Sequence, residues 1–212
     1  EATVEKQEIV LPDSSRAWIN LNSRIRVPDD YNRLSRKVFL EGEAYFSVRF
    51  NPDKPFFVIT ESTTTEVLGT KFNFRAFIGE NRNRVLVQSG MVALYPTGKK
   101  ELGIILLEGD RGIHALETGE LWSEIPRSPN DLAWKTGLIR FRNTALSEVC
   151  EVLSGYYGTP VKMDPALTGK HRFTGNFRQA PLHEVLDIIS VTLDIRFERK
   201  GESFMAVPEN IQ

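Results

Sequence analysis

The feature that most constrains the fold is an alternation of apolar and polar side chains with a period of two residues. It is clearest between Arg36 and Phe50, where Glu41, Glu43 and Arg49 lie opposite the apolar positions. Because successive side chains of a strand point to opposite faces, the pattern predicts a strand with one buried and one solvated face. The residues predicted to line the buried face are Val38, Leu40, Ala44, Phe46, Val48 and Phe50.

Shorter alternating runs continue from residue 8 to about residue 116, and turn sequences rich in Pro, Gly, Asn and Asp separate them. Many short strands at this spacing are typical of a sandwich, a barrel or a β-solenoid. No helical stripe of useful length interrupts them. We therefore predict an all-β N-terminal domain over residues 1–125, built as a sandwich or a β-solenoid.

The alternation ends in a segment with the composition of a linker, residues 117–132, which contains Gly119, Pro126 and Pro129. Such residues favour an irregular, solvated connection between domains. The rest of the chain, residues 126–212, is predicted to form a second, smaller domain.

That second domain is predicted to be a duplicated β-α-β unit, because its sequence repeats at an offset of 36 residues. Phe141-Arg142 recurs as Phe177-Arg178, and each copy carries one apolar stripe at helical spacing. The two stripes are Leu146, Val149, Cys150, Leu153 and Tyr157, and Leu182, Val185, Leu186, Ile189 and Leu193. We expect a small α+β domain with both helices on one face of a sheet. Pro181 is expected at a first helical position and Gly158 at a helix cap.

Composition limits the possible partners. The net charge of −1 gives no overall positive field that would favour nucleic acid or an anionic membrane. The longest apolar run, Ile104–Leu107, is far shorter than the ~20 residues that span a bilayer. The first residues also lack the basic and apolar segments of a secretory signal. We expect either a cytosolic protein or a region whose membrane anchor lies outside this sequence.

The titratable residues lack the spacings that metal sites and reactive thiols require. His114, His171 and His183 make no metal-spaced pair, and neither Cys-x-x-Cys nor His-x-x-x-His occurs. Cys150 aligns with Leu186 in the repeat, so we interpret it as a small core residue. We predict no catalytic residue, no metal and no cofactor.

Glu41 and Glu43 share one predicted strand face, as the paired carboxylates of a glycosidase would. Alternating charges on the solvated face of a strand are far commoner, and no nucleophile-elbow or phosphate-loop motif is present. We therefore predict a protein that is not an enzyme.

The sequence is compatible with two other functions. A carbohydrate-binding β module or glycan-active envelope protein predicts a cleft with exposed aromatic side chains or convergent carboxylates. A structural envelope protein that assembles through its duplicated domain predicts oligomers that form with rising concentration.

Several segments resemble, in order along the chain, the FecR-type anti-sigma regulators. They are LPDSSRAWIN (residues 11–20), LEGEAYFSV (40–48), PFFV (55–58) and VLGTKFNFRAF (67–77). From Ala133 to Pro208 the chain is similar to the domain that commonly follows in these regulators. That domain resembles the short N-terminal signalling domain of secretins and TonB-dependent transducers, which also has a β-α-β repeat.

The chain departs from the family pattern at two places. Ser14 stands where the family usually has Gly, so we expect the turn there to be relaxed or reshaped. Residues 109–132 do not closely follow the usual continuation. The sigma-binding helices and the transmembrane helix of such regulators are expected to lie outside this sequence.

The resemblance implies the periplasmic region of a single-pass inner-membrane anti-sigma factor that takes part in cell-surface signalling. Its implied partner is the periplasmic signalling domain of a TonB-dependent outer-membrane transducer. An extracytoplasmic-function sigma factor would be reached only through the cytoplasmic segment. No nucleic acid and no direct membrane contact are expected for these residues.

The predicted binding surface lies on the strand Arg172–Phe177. Phe173 and Phe177 point to one side, so Arg172, Thr174 and Asn176 point to the other. These three residues are predicted to contact the partner, either on an open sheet face or beside an edge that accepts a partner strand.

Overall fold

The computed structural model describes residues 6–126 and 128–209, and it divides into two compact units, Glu1–Arg127 and Ser128–Gln212. The first unit is built from strands, and the second combines strands with helices. The predicted fold class, an all-β part followed by a small α+β part, is therefore confirmed. Within the described ranges, none of the helices has the length and apolar character needed to cross a membrane.

Over its described residues, 6–126, the first unit contains twelve strands and one short 3-10 turn. They are β1 (Gln7–Val10), β2 (Arg16–Ile19), β3 (Arg24–Arg26), β4 (Arg36–Ser47), β5 (Phe56–Ile59), β6 (Thr63–Val67), β7 (Lys71–Ala76), β8 (Arg82–Ser89), β9 (Met91–Pro96), the turn Lys100–Leu102, β10 (Ile104–Leu107), β11 (Arg111–Ala115) and β12 (Leu121–Glu124).

These strands form one sheet in the order β10-β9-β6-β5-β4-β7-β8-β11-β12, with β2 and β3 also paired to β4 and β1 paired to β2. Among the described strands of the first unit, β4 and β5 form the one parallel pair, and the other pairs are antiparallel. A solenoid stacks its strands in parallel, so the antiparallel pairing favours the sandwich-like alternative. The sheet folds back on itself around one core and is barrel-like.

Strand β4 is where the sheet turns. Its first half pairs with β3 and β5, whereas its second half pairs with β2 and β7. Gly42 lies between the two halves with φ 95°, a left-handed conformation that favours glycine. A Cβ at this position would lie 2.3 Å from the Ser23 hydroxyl oxygen, which itself accepts a hydrogen bond from the Glu43 N–H at 2.8 Å. Glycine at position 42 therefore allows both the bend of β4 and the close approach of Ser23.

The core packs phenylalanine rings from both halves of the sheet. The ring of Phe46 stacks on Phe72 at 5.2 Å between centroids and contacts Phe56 at 5.9 Å. Five of the six residues predicted for the buried face of β4 are buried. Phe50 is the exception, because β4 ends at Ser47 and the Phe50 side chain is 68% exposed.

Arg36 begins β4 and carries a positive charge into the interior, where its side chain is 1% exposed. Its guanidinium also lies 5.9 Å from the centre of the Phe56 ring. Every one of its five N–H groups has an acceptor. These acceptors are Asp13 Oδ2 (3.0 Å) and the backbone carbonyls of Lys54 (2.6 Å), Arg49 (2.8 Å), Asn51 (3.3 Å) and Leu68 (3.3 Å).

Asp13 is held in a tight turn. Its carboxylate accepts from Ser15 N at 3.0 Å and from the Ser15 hydroxyl at 2.8 Å, as well as from Arg36. Burial by itself would raise the pKa of the Asp13 carboxyl, but the hydrogen bonds from Ser15 and Arg36 outweigh burial and lower that pKa.

Ser14 keeps the left-handed conformation of this turn, with φ 68°. Ser14 N donates to Leu11 O at 2.9 Å, and Leu11 N donates to Ser15 O at 2.8 Å. The expectation of a relaxed or reshaped turn is therefore wrong. The backbone bonds across the turn hold a serine in the conformation that glycine adopts more easily.

Glu43 corrects the prediction of a solvated charged face on β4. Its side chain is buried, and it accepts from Asn20 Nδ2 (2.9 Å), Asn73 Nδ2 (2.8 Å) and Arg75 Nη1 (3.2 Å). Burial raises the pKa of Glu43, although Arg75 and the two amides oppose that effect. Glu41 instead forms an ion pair with Arg24, so each carboxylate has its own cation.

The second unit contains three α-helices, five strands and one 3-10 turn among its described residues. They are α1 (Ala133–Thr136), β13 (Leu138–Ala145), α2 (Leu146–Tyr157), β14 (Val161–Met163), the turn Pro165–Leu167, β15 (Arg172–Arg178), α3 (Leu182–Leu193), β16 (Ile195–Lys200) and β17 (Ser203–Pro208).

The two β-α-β copies divide their strands between two sheets. β13 and β15, the first strand of each copy, pair antiparallel in a two-stranded sheet. β14 and β16, the second strand of each copy, flank β17 in a three-stranded sheet. Helix α2 contacts β13 and β14, and helix α3 contacts β15 and β16.

The prediction that both helices pack on one face of a single sheet is therefore wrong. Both sheets supply apolar side chains to one core, and the apolar stripe of each helix packs into that core. Phe141 and Phe173 come from the two-stranded sheet, and Val161 and Ile195 come from the three-stranded sheet. Periodicity within a strand does not say which other strand it pairs with.

The helices of the two repeat copies end at equivalent positions. Helices α2 and α3 have twelve residues each and end at the C-caps Gly158 (φ 65°) and Asp194 (φ 53°). The N–H groups of these caps donate to the carbonyls of Ser154 and Ser190 respectively. Pro181 is the N-cap of α3, one position before the first helical residue where it was predicted.

Replacing Arg36 with Met should lower the free energy of unfolding by about 3–5 kcal/mol, the usual cost of breaking a buried ion pair from one side. The substitution leaves four backbone carbonyls without this donor and removes the cation from the Asp13 carboxylate. Urea denaturation measures the effect. Arg33→Met removes an exposed arginine and should change stability by less than about 0.5 kcal/mol. Equal losses in the two variants would contradict the role of Arg36.

Replacing Asp13 with Asn should make the free energy of unfolding depend less steeply on pH in the acid range. The folded-state pKa of Asp13 lies below its ordinary value of 3.8, so the carboxylate stabilises the fold above that value. This contribution is lost as the pH falls through the folded-state pKa. Unfolding free energies from roughly pH 5 to pH 2 should fall less steeply in Asp13→Asn than in the parent chain. The exposed control Asp53→Asn should keep the parent slope.

Replacing Asp194 with Gly should raise the free energy of unfolding by about 0.5–1 kcal/mol, because glycine adopts the left-handed cap with less strain. The equivalent cap in the other copy supplies the reverse test. Gly158→Asp should destabilise by a similar amount, and an Asp194→Gly variant no more stable than the parent would refute the strain argument. Thermal unfolding of both variants measures the difference.

Candidate partner-binding surface

The three predicted site residues lie together on one exposed face of β15. Arg172, Thr174 and Asn176 are exposed and alternate with Phe173 and Phe177, which are buried. The phenylalanine rings stack on each other at 5.8 Å and contribute to the core beneath. The alternation predicted from the sequence is therefore present in the strand.

The neighbouring strand β13 extends this face. Arg140 of β13 is the register partner of Asn176, and Leu138 is the partner of Arg178. Partners in an antiparallel pair project to the same side of the sheet. We call this surface the arginine face, and it consists of Arg140, Arg142, Arg172, Thr174, Asn176 and Arg178.

Sequence reasoning missed Arg140, Arg142 and Arg178. A signal was available, because Arg142 and Arg178 occupy equivalent positions of the repeat and each follows a buried phenylalanine. Arg140 alternates with buried Ile139 in the same way. What the sequence did not reveal is that the first strands of the two copies pair with each other.

Two of the predicted residues also have a structural role. The register of β13 and β15 shifts between Phe141 and Thr144, where Asn143 adopts φ 51°. Arg172 Nε donates to the Asn143 backbone oxygen at 2.8 Å and to its side-chain oxygen at 2.9 Å. Thr174 Oγ1 accepts from Asn143 N at 2.8 Å. Arg172 and Thr174 therefore hold the bulge of β13 in place.

The outer edge of β13 is occupied locally by a side chain. Asn130 Nδ2 donates to Arg140 O at 2.8 Å, and Arg140 N donates to Asn130 Oδ1 at 2.8 Å. The amide thereby engages both backbone groups, as a neighbouring strand would. β15 pairs with β13 alone among the described strands, so its other edge is open for pairing.

Two surface depressions are weaker candidates for a site. One of about 350 Å³ lies beside Arg36 and Asp13, but all five N–H groups of Arg36 are already bonded within the protein. A second, of about 480 Å³, is lined by Gly158, Thr159, Pro160, Leu182, His183, Arg199, Glu202 and Phe204. None of these lining residues is a buried charged side chain that would bind a specific ligand.

The nucleophilic and metal-binding side chains have structural surroundings. Cys150 is buried, and burial together with Glu151 raises the pKa of its thiol to about 11, so the thiol is protonated at neutral pH. His114 is buried and shares a 2.7 Å hydrogen bond with Thr63 Oγ1. Over residues 6–126 and 128–209, no group of three or more His, Cys, Asp or Glu side chains is placed to hold a metal ion.

The sequence matches two family profiles. The profile described as "FecR protein" matches residues 2–93, and the profile described as "FecR, C-terminal" matches residues 138–205. No protein with a curated description matches the chain significantly.

Two crystal structures of a protein described as a "putative anti-sigma factor", from Parabacteroides distasonis ATCC 8503, have the same architecture. They were determined at 2.50 Å and 1.65 Å, and their TM-scores are 0.73 and 0.74. Each is 25% identical in sequence, and each alignment covers 99% of this chain and 97% of the other. With both family profiles matched in order, the chain belongs to the FecR family of anti-sigma factors, a regulatory and non-enzymatic kind of protein.

Proposed function

We propose that this chain is the periplasmic relay region of a membrane-anchored anti-sigma factor. In this proposal it binds the signalling domain of an outer-membrane TonB-dependent transducer and thereby controls an extracytoplasmic-function sigma factor. The observation that carries the proposal is the open edge and exposed face of β15, within the segment that matches the FecR C-terminal profile.

The open edge of β15 suits recognition of an extended partner segment. An unpaired strand offers N–H and C=O groups in a row, and a partner strand satisfies them by extending the sheet. Arg172, Thr174 and Asn176 project beside that edge, so they would contact side chains of the added strand. Main-chain hydrogen bonds supply affinity in such complexes, and side chains supply specificity.

Signalling by this route requires no covalent chemistry. A partner that binds one conformational state more tightly shifts the population toward that state by the difference in its affinities. The sigma factor would be contacted by a cytoplasmic segment outside this sequence. The chain itself therefore needs a recognition surface, and the arginine face is the exposed polar surface that adjoins an open strand edge.

Titration calorimetry of the chain with the isolated signalling domain of the transducer encoded beside its gene should give saturable one-to-one binding with a Kd in the micromolar range or tighter. Asn176→Trp places a large side chain beside the open edge at an exposed position that tolerates it. We expect this variant to weaken binding by roughly tenfold or more, which corresponds to about 1.4 kcal/mol, because the indole would occupy the space of the added strand.

The matched control is Lys162→Trp on β14, in the other sheet of the same unit. It should bind with the parent affinity. Absence of a complex with the signalling domain of any neighbouring transducer would refute the proposal. If the two tryptophan variants weakened binding equally, β15 would not be the contact site.

A further inference from the structure

Charge is distributed unevenly over the second unit. The arginine face carries four arginines, and none of its positions is acidic. The acidic residues of the β-α-β copies lie instead on the exposed sides of the helices, for example Glu148 in α2 and Glu184 with Asp187 in α3. The near-neutral net charge of the chain therefore conceals a local positive surface.

None of the four arginines has a carboxylate partner among the described residues, and Arg172 is bonded to the neutral Asn143. Arg140, Arg142 and Arg178 are exposed, and no ion pair joins them to a carboxylate of the described residues. Some exposed arginines elsewhere are paired on their own sheets, as Arg16 is with Glu8 and Arg196 is with Glu198. Others, such as Arg33 and Arg199, have no ion pair among the described residues. Like charges on neighbouring strands repel each other, so the cluster destabilises the free unit slightly.

The spacing of these side chains matches that of an extended chain. Arg140 and Arg142 are two residues apart on β13, which is roughly 6.5–7 Å along a strand. Arg178 lies opposite Leu138 on the neighbouring strand, and is therefore diagonal to Arg140 across strands that are roughly 4.8 Å apart. Side chains on one side of a bound strand repeat at the same 6.5–7 Å interval, roughly. Guanidinium groups bind carboxylates through two parallel hydrogen bonds, which adds geometric specificity.

We infer that the arginine face binds an extended acidic segment of a protein partner, with carboxylates at alternate positions. This inference rests on the proposed function and gives the chemistry of the partner surface. A lipid surface fits less well, because the face offers only the half-buried Leu138 for insertion between lipids. Arg172 takes part while also holding Asn143, so its contribution to binding is not separable from the bulge.

The test uses the full chain and a twelve-residue peptide of alternating Glu and Thr, with the matching Lys-Thr peptide as the reverse-charge probe. The triple variant Arg140→Gln, Arg142→Gln, Arg178→Gln removes the three unpaired charges. We expect it to weaken binding of the acidic peptide roughly three- to hundredfold, since each exposed charge pair contributes a factor of about 1.4 to 5. Raising the salt from about 50 to 300 mM should weaken the parent complex and have a smaller effect on the variant.

The matched control replaces Arg196, Arg199 and Lys200 with Gln, which removes three exposed positive charges from β16 of the same unit. It should keep affinity for the acidic peptide within about twofold of the parent, since rim charges away from the contact contribute little. Equal loss in both triple variants, or equal binding of the acidic and basic peptides, would overturn the inference. Binding to phosphatidylglycerol vesicles in place of the acidic peptide would overturn it as well, as would an arginine-dependent dimer of the chain.

The transducer signalling domain separates this inference from the proposed function. If that domain binds the parent and the arginine triple variant equally, at all salt concentrations, the inference fails and the proposed function stands. If the acidic peptide binds in an arginine-dependent way and no transducer domain binds, the inference about the surface stands and the proposed partner is wrong. Weakening of both complexes by the same substitutions supports both.

Discussion

The first unit depends on one buried positive charge. An unpaired guanidinium in the interior costs several kcal/mol, so the chain must bring an acceptor to each N–H group of Arg36. It does so with Asp13 and with carbonyls from the segments that follow β4 and connect β6 to β7. The turn at Asp13, which opens the FecR-like motif, is thereby fixed against the start of β4. The packing of Phe46 and Phe56 beside it follows from that arrangement.

The second unit uses a different constraint, the need to cover the apolar faces of two amphipathic helices. Dividing each β-α-β copy between two sheets provides that cover. The consequence is a two-stranded sheet whose inner face is phenylalanine-rich and whose outer face is polar and exposed. A pair of strands has two edges, and the side chain of Asn130 occupies part of one of them. The surface proposed for recognition is therefore a by-product of how the helices are covered.

The candidate site shows what a single strand can and cannot reveal. Alternation within β15 was sufficient to place Arg172, Thr174 and Asn176 on the side opposite Phe173 and Phe177. It could not assign Arg140 to the same surface, because that depends on the register between β13 and β15. Nor could it show that Arg172 and Thr174 hold Asn143, since a bulge depends on contacts between residues distant in sequence.

The sequence by itself determined the fold class, the buried stripes of α2 and α3, and the family, because local periodicity and ordered motifs depend only on neighbouring residues. Tertiary structure alone decided that Glu43 is buried among Asn20, Asn73 and Arg75, because Gly42 turns β4 from one half of the sheet into the other. It also decided that the repeated strands form two sheets. Strand pairing depends on which sheet faces become buried, and this involves residues that are distant in sequence. A period of two residues is equally compatible with one sheet or two.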